Sequence, residues 1–180
     1  MKVIFLDIDG VLNSARFRGE LGMSYFSRII DRRKMPLLKR IADETGALIV
    51  LSSSWRKFWN QGENQRDSAG QLISDSFREY GLRIHSKTPV LENAGRDGEI
   101  RRWLEQHPCV DGYVILDDRD FGWSDALRAH FIRTDLAGDG LEENQVQPAI
   151  DVLRGNLLPV PARKGKIRTF FEKRLRKPSE

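Results

Sequence analysis

A single cysteine in 180 residues excludes an internal disulfide framework and a thiolate metal cluster, so a reducing compartment is the simplest setting. That residue, Cys109, reads as an inert, part-buried side chain. Histidine is equally scarce: His85, His107 and His130 show no metal-ligand spacing, which leaves them packing or surface roles. No apolar run approaches the roughly 20 residues a membrane helix needs. The first such run, Val3-Ile4-Phe5-Leu6, meets Asp7 and Asp9 at once, a pattern that no secretory leader tolerates. A cytoplasmic protein with no membrane partner is expected. Internal repeats are also missing, which excludes a solenoid.

What is present is enough hydrophobic sequence, 39%, to bury one good core. The net charge of +4 is unevenly placed, because residues 155–180 hold eight Lys and Arg against two Glu. The body is therefore slightly acidic and the end is basic. Residues 1–158 are expected to form one domain, followed by a basic C-terminal tail, 159–180, that is partly helical through Ile167, Phe170, Phe171 and Arg174. Such a tail reads first as a solvated helix packing a few aromatics on the body, and second as a surface for nucleic acid or membrane.

Short apolar runs suited to buried strands occur at Val3 to Leu6, Ala47 to Leu51, Tyr113 to Leu116 and His130 to Ile132. Helix-period residues lie between them: Met35, Leu38, Ile41 and Ala42, then Ile100, Trp103 and Leu104, then Val146, Ile150 and Leu153. A further helix is predicted near Gln71 to Tyr80. Pro148 lacks a backbone donor and crowds the preceding turn, so the last helix should begin close to it. The alternation predicts an α/β fold with a central parallel sheet.

Ligands of open α/β sheets bind beyond the carboxyl ends of the strands. Here Asp7 closes one strand, Asp117 and Asp118 close another, and Ser52, Ser53 and Ser54 close a third. Any one of these is an ordinary turn former or helix cap. Together they are costly, since two like charges at about 4 Å repel by on the order of 4 kcal/mol near a protein surface. A divalent cation would offset that cost, and hard oxygen ligands without His or Cys favour Mg2+.

Phe5-Leu6-Asp7-Ile8-Asp9-Gly10-Val11-Leu12 resembles the first motif of the haloacid dehalogenase (HAD) superfamily. Ile49-Val50-Leu51-Ser52-Ser53-Ser54 is similar to its second motif and Ile115-Leu116-Asp117-Asp118 to its fourth. Arg96, in Gly95-Arg96-Asp97-Gly98-Glu99-Ile100, fits the place of the third-motif cation, with Lys87 as the competitor. The nearest resemblance is to the small HAD domains of RNA-repair proteins, through Leu6-Asp7-Ile8-Asp9-Gly10-Val11-Leu12-Asn13, Leu51-Ser52-Ser53-Ser54-Trp55-Arg56 and Val114-Ile115-Leu116-Asp117-Asp118.

The resemblance implies a three-layer Rossmann-like HAD fold with a minimal cap or none. It also implies a phosphatase in which Asp7 is the nucleophile and Asp9 the acid and base. Ser52, Ser53 and Arg96 would bind the phosphate, while Asp7, Asp9, Asp117 and Asp118 would hold Mg2+, Asp9 through its backbone carbonyl. Dehalogenases lack the second Asp, so Asp9 favours phosphate chemistry. Only 42 positions separate Gly10 from Ser52, most of them needed for one helix, which leaves the site open enough for a polymer end. The run Trp55-Arg56-Lys57-Phe58-Trp59 interleaves aromatics with cations, as a nucleotide or an RNA or DNA end would require, or else packs into the core. The rival readings are a nucleotide or sugar phosphatase and a non-catalytic nucleic-acid-binding or adaptor protein on the same scaffold.

Overall fold

The computed structural model describes residues 1–21, 29–61 and 67–160. The chain alternates strand and helix, in the order β1 (Lys2–Leu6), α1 (Ala15–Leu21), α2 (Met35–Thr45), β2 (Leu48–Leu51), α3 (Ser68–Arg78), β3 (Ile84–Lys87), α4 (Gly95–Gln106), β4 (Gly112–Asp117), α5 (Asp125–Arg128), β5 (Phe131–Arg133) and α6 (Glu143–Leu153). A short 3-10 turn, Ser54–Lys57, follows β2. The strands form one parallel sheet in the order β3-β2-β1-β4-β5. Four of the five strands sit on the predicted apolar runs; the fifth, β3, has no such run.

Strand geometry divides the core in two, because successive side chains point to opposite faces. Ile4, Leu6, Ile49, Leu51, Val114 and Leu116 face α2, α3 and α6, whose Leu38, Ile41, Phe77, Val146 and Ile150 complete that layer. Val3, Phe5, Val50 and Ile115 face the other way, against Ile100 and Trp103 of α4 and Leu127 of α5. The result is a three-layer α/β architecture. Each buried Leu, Ile or Phe contributes roughly 1.5–3 kcal/mol, so the two layers together hold the sheet in register.

Three departures from expectation have local causes. Strand β3 has the sequence Ile-His-Ser-Lys and lies at the sheet edge, where Ile84 is only partly buried and Ser86 accepts a hydrogen bond from Trp103 Nε1 at 3.2 Å. Helix α6 begins at Glu143, not beside Pro148, and runs through the proline in its second turn. Its start is fixed instead by the Gln145 side chain, which accepts a hydrogen bond from the Glu142 backbone N–H at 2.7 Å. Cys109 is exposed rather than part-buried, since it lies in the turn between α4 and β4.

The described residues between β1 and α2 hold one helix of seven residues, α1, in place of a folded cap. The expected helix in the basic tail lies outside the described residues. No helix among the described residues is long and apolar enough to cross a membrane.

His85 is exposed, whereas His107 stacks on Trp103 and His130 on Tyr113, with centroids 3.7 and 3.8 Å apart. His130 Nδ1 lies 2.8 Å from the Tyr113 carbonyl, a contact that places the proton on Nδ1. Burial lowers the His130 pKa below its ordinary value, and the hydrogen bond to the Tyr113 carbonyl only partly opposes this. The unfolded chain therefore binds this proton more readily than the fold does. Stability from this group is present above about pH 6.5 and is lost as pH falls through the lowered folded value. Between about pH 7.5 and 5.5 the unfolding midpoint in denaturant of the unmodified protein should drop relative to that of a His130→Gln variant, a difference that isolates this group.

Candidate active site

The strand order reverses direction between β1 and β4, because the chain adds β2 and β3 on one side of β1 and then returns to the other. Such a reversal opens a crevice at the carboxyl ends of the two strands. Asp7 and Asp117 stand on either side of it. Pairing of Leu6 with Leu116 brings the two acids abreast, and the Asp7 N–H donates to the Leu116 carbonyl at 3.0 Å, carrying the pairing one residue past β1. Asp118 closes on the same point from the turn that follows. Gly10 lets it do so: its φ is +78°, and a Cβ there would lie 2.5 Å from Asp118 Cβ.

One oxygen from each of Asp7, Asp117 and Asp118 falls within 4.8 Å of the others, and Asp7 and Asp117 are buried. Burial, with the Asp7 charge beside it, pushes the Asp117 carboxyl up to about 7, and the same two causes raise that of Asp118. Arg96, on the first turn of α4, answers part of this charge. Its Nη1 lies 2.5 Å from Asp117 Oδ2 and 2.9 Å from Asp7 Oδ2. Burial disfavours the guanidinium charge, but the two carboxylates outweigh burial and raise its pKa. Three crowded acids with one cation among them, all offering hard oxygen, fit Mg2+.

The Asp9 side chain stands apart from the acid cluster, and the expectation gave Asp9 to a metal only through its backbone carbonyl. Its carboxylate is drawn aside by three donors: Arg18 Nη2 at 2.5 Å and Asn13 Nδ2 at 2.9 Å to Oδ1, and Trp55 Nε1 at 3.0 Å to Oδ2. Any part in holding a metal falls to its backbone carbonyl. None of the three donors is assigned to Asp9 by the sequence reading, and Arg18 does not enter it at all. Position 18 carries no motif, and only the two turns of α1 bring it back over residue 9.

The third strand end supplies the hydroxyls. Ser52 is fully buried and its Oγ has no hydrogen-bond partner, whereas Ser53 Oγ accepts from the Trp55 N–H at 3.3 Å. Ser52 thus keeps an open hydroxyl; Ser53 spends its own on a cap. Lys87 is occupied elsewhere, since its Nζ donates to the carbonyls of Arg56 and Trp59 at 2.9 and 2.5 Å. Of the two candidate cations, Arg96 is the one that reaches Asp7.

Arg56 does not face solvent. Its Nη1 donates to the carbonyls of Ser52 and Ser53 at 3.0 and 2.9 Å, and its Nη2 meets Glu99 of α4 at 2.6 Å, with both side chains buried. The buried pair ties the serine turn to the helix that carries Arg96. A cleft of about 290 Å³ remains above the acids, bordered by Asp7, Asp9, Arg18, Arg96, Asp118 and Phe121.

The family model described as the HAD domain in Swiss Army Knife RNA repair proteins matches residues 3–146. The chain belongs to that family. The matched segment of this HAD domain runs from β1 into α6 and contains every site residue named above. No curated protein and no solved structure was found to match the chain. Membership points to phosphatase-like chemistry for the HAD domain, and its acidic cluster agrees with the Mg2+ that the family typically uses.

The Arg56 clamp gives a stability prediction. Removing one partner of a buried ion pair strands the other, at a cost of about 3–5 kcal/mol. Arg56→Met and Glu99→Leu should each lower the unfolding free energy by about that amount, and the double variant Arg56→Met/Glu99→Leu should lose less than the two single losses added together. Equilibrium denaturation of the four proteins measures this.

Proposed function

We propose that the protein is a magnesium-dependent phosphatase that hydrolyses a phosphate monoester through an aspartyl-phosphate on Asp7, with RNA or DNA ends or nucleotides as its substrates. The observation that carries this reading is the gathering of Asp7, Asp117 and Asp118 at the β1/β4 crevice, with Arg96 across two of them. A scaffold kept only for binding has no need of so costly a cluster. Mg2+ held by Asp7, Asp117, Asp118 and the Asp9 carbonyl would supply positive charge to these acids and to the phosphoryl oxygens.

The remaining chemistry belongs to the chain. Ser52 Oγ and the guanidinium of Arg96 hold the phosphoryl oxygens beside Asp7. An Asp7 carboxylate oxygen attacks phosphorus in line, the bond to the ester oxygen breaks, and Asp9 gives that oxygen a proton. Water then attacks the aspartyl-phosphate while Asp9 takes a proton from it, which releases phosphate and restores Asp7. One difficult displacement becomes two easier ones. Asn13, Arg18 and Trp55 keep the Asp9 carboxylate to one side of Asp7, where a leaving oxygen would stand.

Phosphate release in Mg2+ from oligonucleotides with 3′- or 5′-phosphate ends and from mononucleotides tests the reading. Asp7→Asn should abolish turnover, and Asp9→Asn should slow it by roughly 10²- to 10⁴-fold on substrates with a poor leaving group. Full activity of Asp7→Asn on any monoester would remove the nucleophile from Asp7. The basic tail, 159–180, is assigned an attractive role toward polyanions. Replacing its Lys and Arg by Gln should weaken turnover of oligonucleotides, most at low salt, and leave that of mononucleotides alone.

A further inference from the structure

The run from Trp55 to Trp59 splits between inside and outside, and the outward part lies beside Asp9. Arg56 and Trp59 are buried, with Trp59 only 3% exposed, so neither is free to meet a ligand. Lys57 is exposed and Phe58 is 43% exposed, which makes it one of the few large hydrophobic side chains left in solvent among the described residues. Its ring lies 5.9 Å from that of Trp55, tilted by 56°. Trp55 is half-buried on the core and donates its indole N–H to Asp9. The two rings form an open aromatic corner that begins at the Asp9 carboxylate.

In-line attack fixes what occupies such a corner. The leaving group departs on the side away from Asp7 and takes its proton from Asp9, so its organic part extends past Asp9. There the nearest aromatic is Trp55, bonded to Asp9 and adjoined by the Phe58 ring, with the cation Arg18 on the other Asp9 oxygen and the exposed cation Lys57 next to Phe58 in the chain. A sugar phosphate or other small polar alcohol gains little from one exposed ring and one half-buried ring, whereas a nucleobase stacks on them and its flanking phosphate is attracted to the cations.

We infer that Trp55 and Phe58 form a stacking platform for the base of the terminal nucleotide, and thereby select nucleic-acid ends over small phosphate esters. The inference rests on the phosphatase reading for the position of the leaving group, and it assigns the specificity of that same site. Phe58 is the specificity-determining residue; Trp55 serves both the base and Asp9.

The test uses the full-length Asp7→Asn protein in Mg2+, so that binding is read without turnover. Two RNA oligonucleotides ending in a 3′-phosphate are compared, one with its terminal base and one abasic at that nucleotide. Base-bearing RNA should bind about 5- to 150-fold more tightly, the range that stacking one base gives. Adding Phe58→Ala should bring that ratio close to one, and Phe58→Tyr, which keeps the ring, should restore it. A ratio unchanged by Phe58→Ala overturns the inference, as does an equal loss for both RNAs. Phosphate release by the unmodified protein separates the two readings. Release from glycerol phosphate with no preference for base-bearing ends sinks the platform and spares the phosphatase. Base-dependent binding with no release from any ester does the reverse.

Discussion

Mutual repulsion among three carboxylates is the constraint around which this molecule is built. Asp7, Asp117 and Asp118 are brought together by a parallel pairing that hydrophobic burial enforces on both faces of the sheet, so they cannot relax apart without unpairing β1 from β4. A fold stable by some 5–15 kcal/mol in all has little margin for such repulsion. Arg96 meets part of it and leaves Asp117 with a carboxyl raised to about 7. The site is thus short of positive charge, which is the condition under which a dication and a phosphoryl group bind together where neither acid nor phosphate would tolerate the other alone.

The need to hold Arg96 in place explains the second expensive feature, the buried pair of Arg56 and Glu99. Arg96 and Glu99 lie three residues apart on α4, so fixing one fixes the turn that carries the other. Arg56 in turn grips the carbonyls of Ser52 and Ser53 and leaves the Ser52 hydroxyl unspent. Burial lowers the Arg56 pKa, and Glu99 opposes that effect, which keeps the clamp charged. Three strand ends and one helix start are linked by salt bridges where the β-ladder no longer reaches.

Much of this was legible in sequence because strands buried on both faces are continuous apolar runs that end abruptly in acids. Val3 to Leu6 and Tyr113 to Leu116 announce both the strand and the place where it stops. Edge strand β3 could not be read this way, since Ile-His-Ser-Lys has one partly covered face and no apolar run. Arg18 was hidden for a different reason. Its partner Asp9 is nine positions away across a bend, and no short-range period records that contact. Arg56 stayed open because a cation among aromatics reads equally as surface or as packing until Glu99, 43 positions later, is known to lie against it.

The same contrast separates the two acids of the first motif. Asp7 and Asp9 are two positions apart, yet one is buried against Arg96 and the other is turned toward Arg18, Asn13 and Trp55. Gly10 makes the divergence possible, because its positive φ bends the chain away immediately after Asp9 and clears room for Asp118. A nucleophile must stay close to the charge that steadies phosphorus, and a proton donor must stand where the leaving oxygen goes. On the proposed mechanism one glycine turn supplies both positions from a single stretch of chain. By that same mechanism whatever lies beyond Asp9 meets the leaving group first, and the side chain bonded to its Oδ2 is the indole of Trp55.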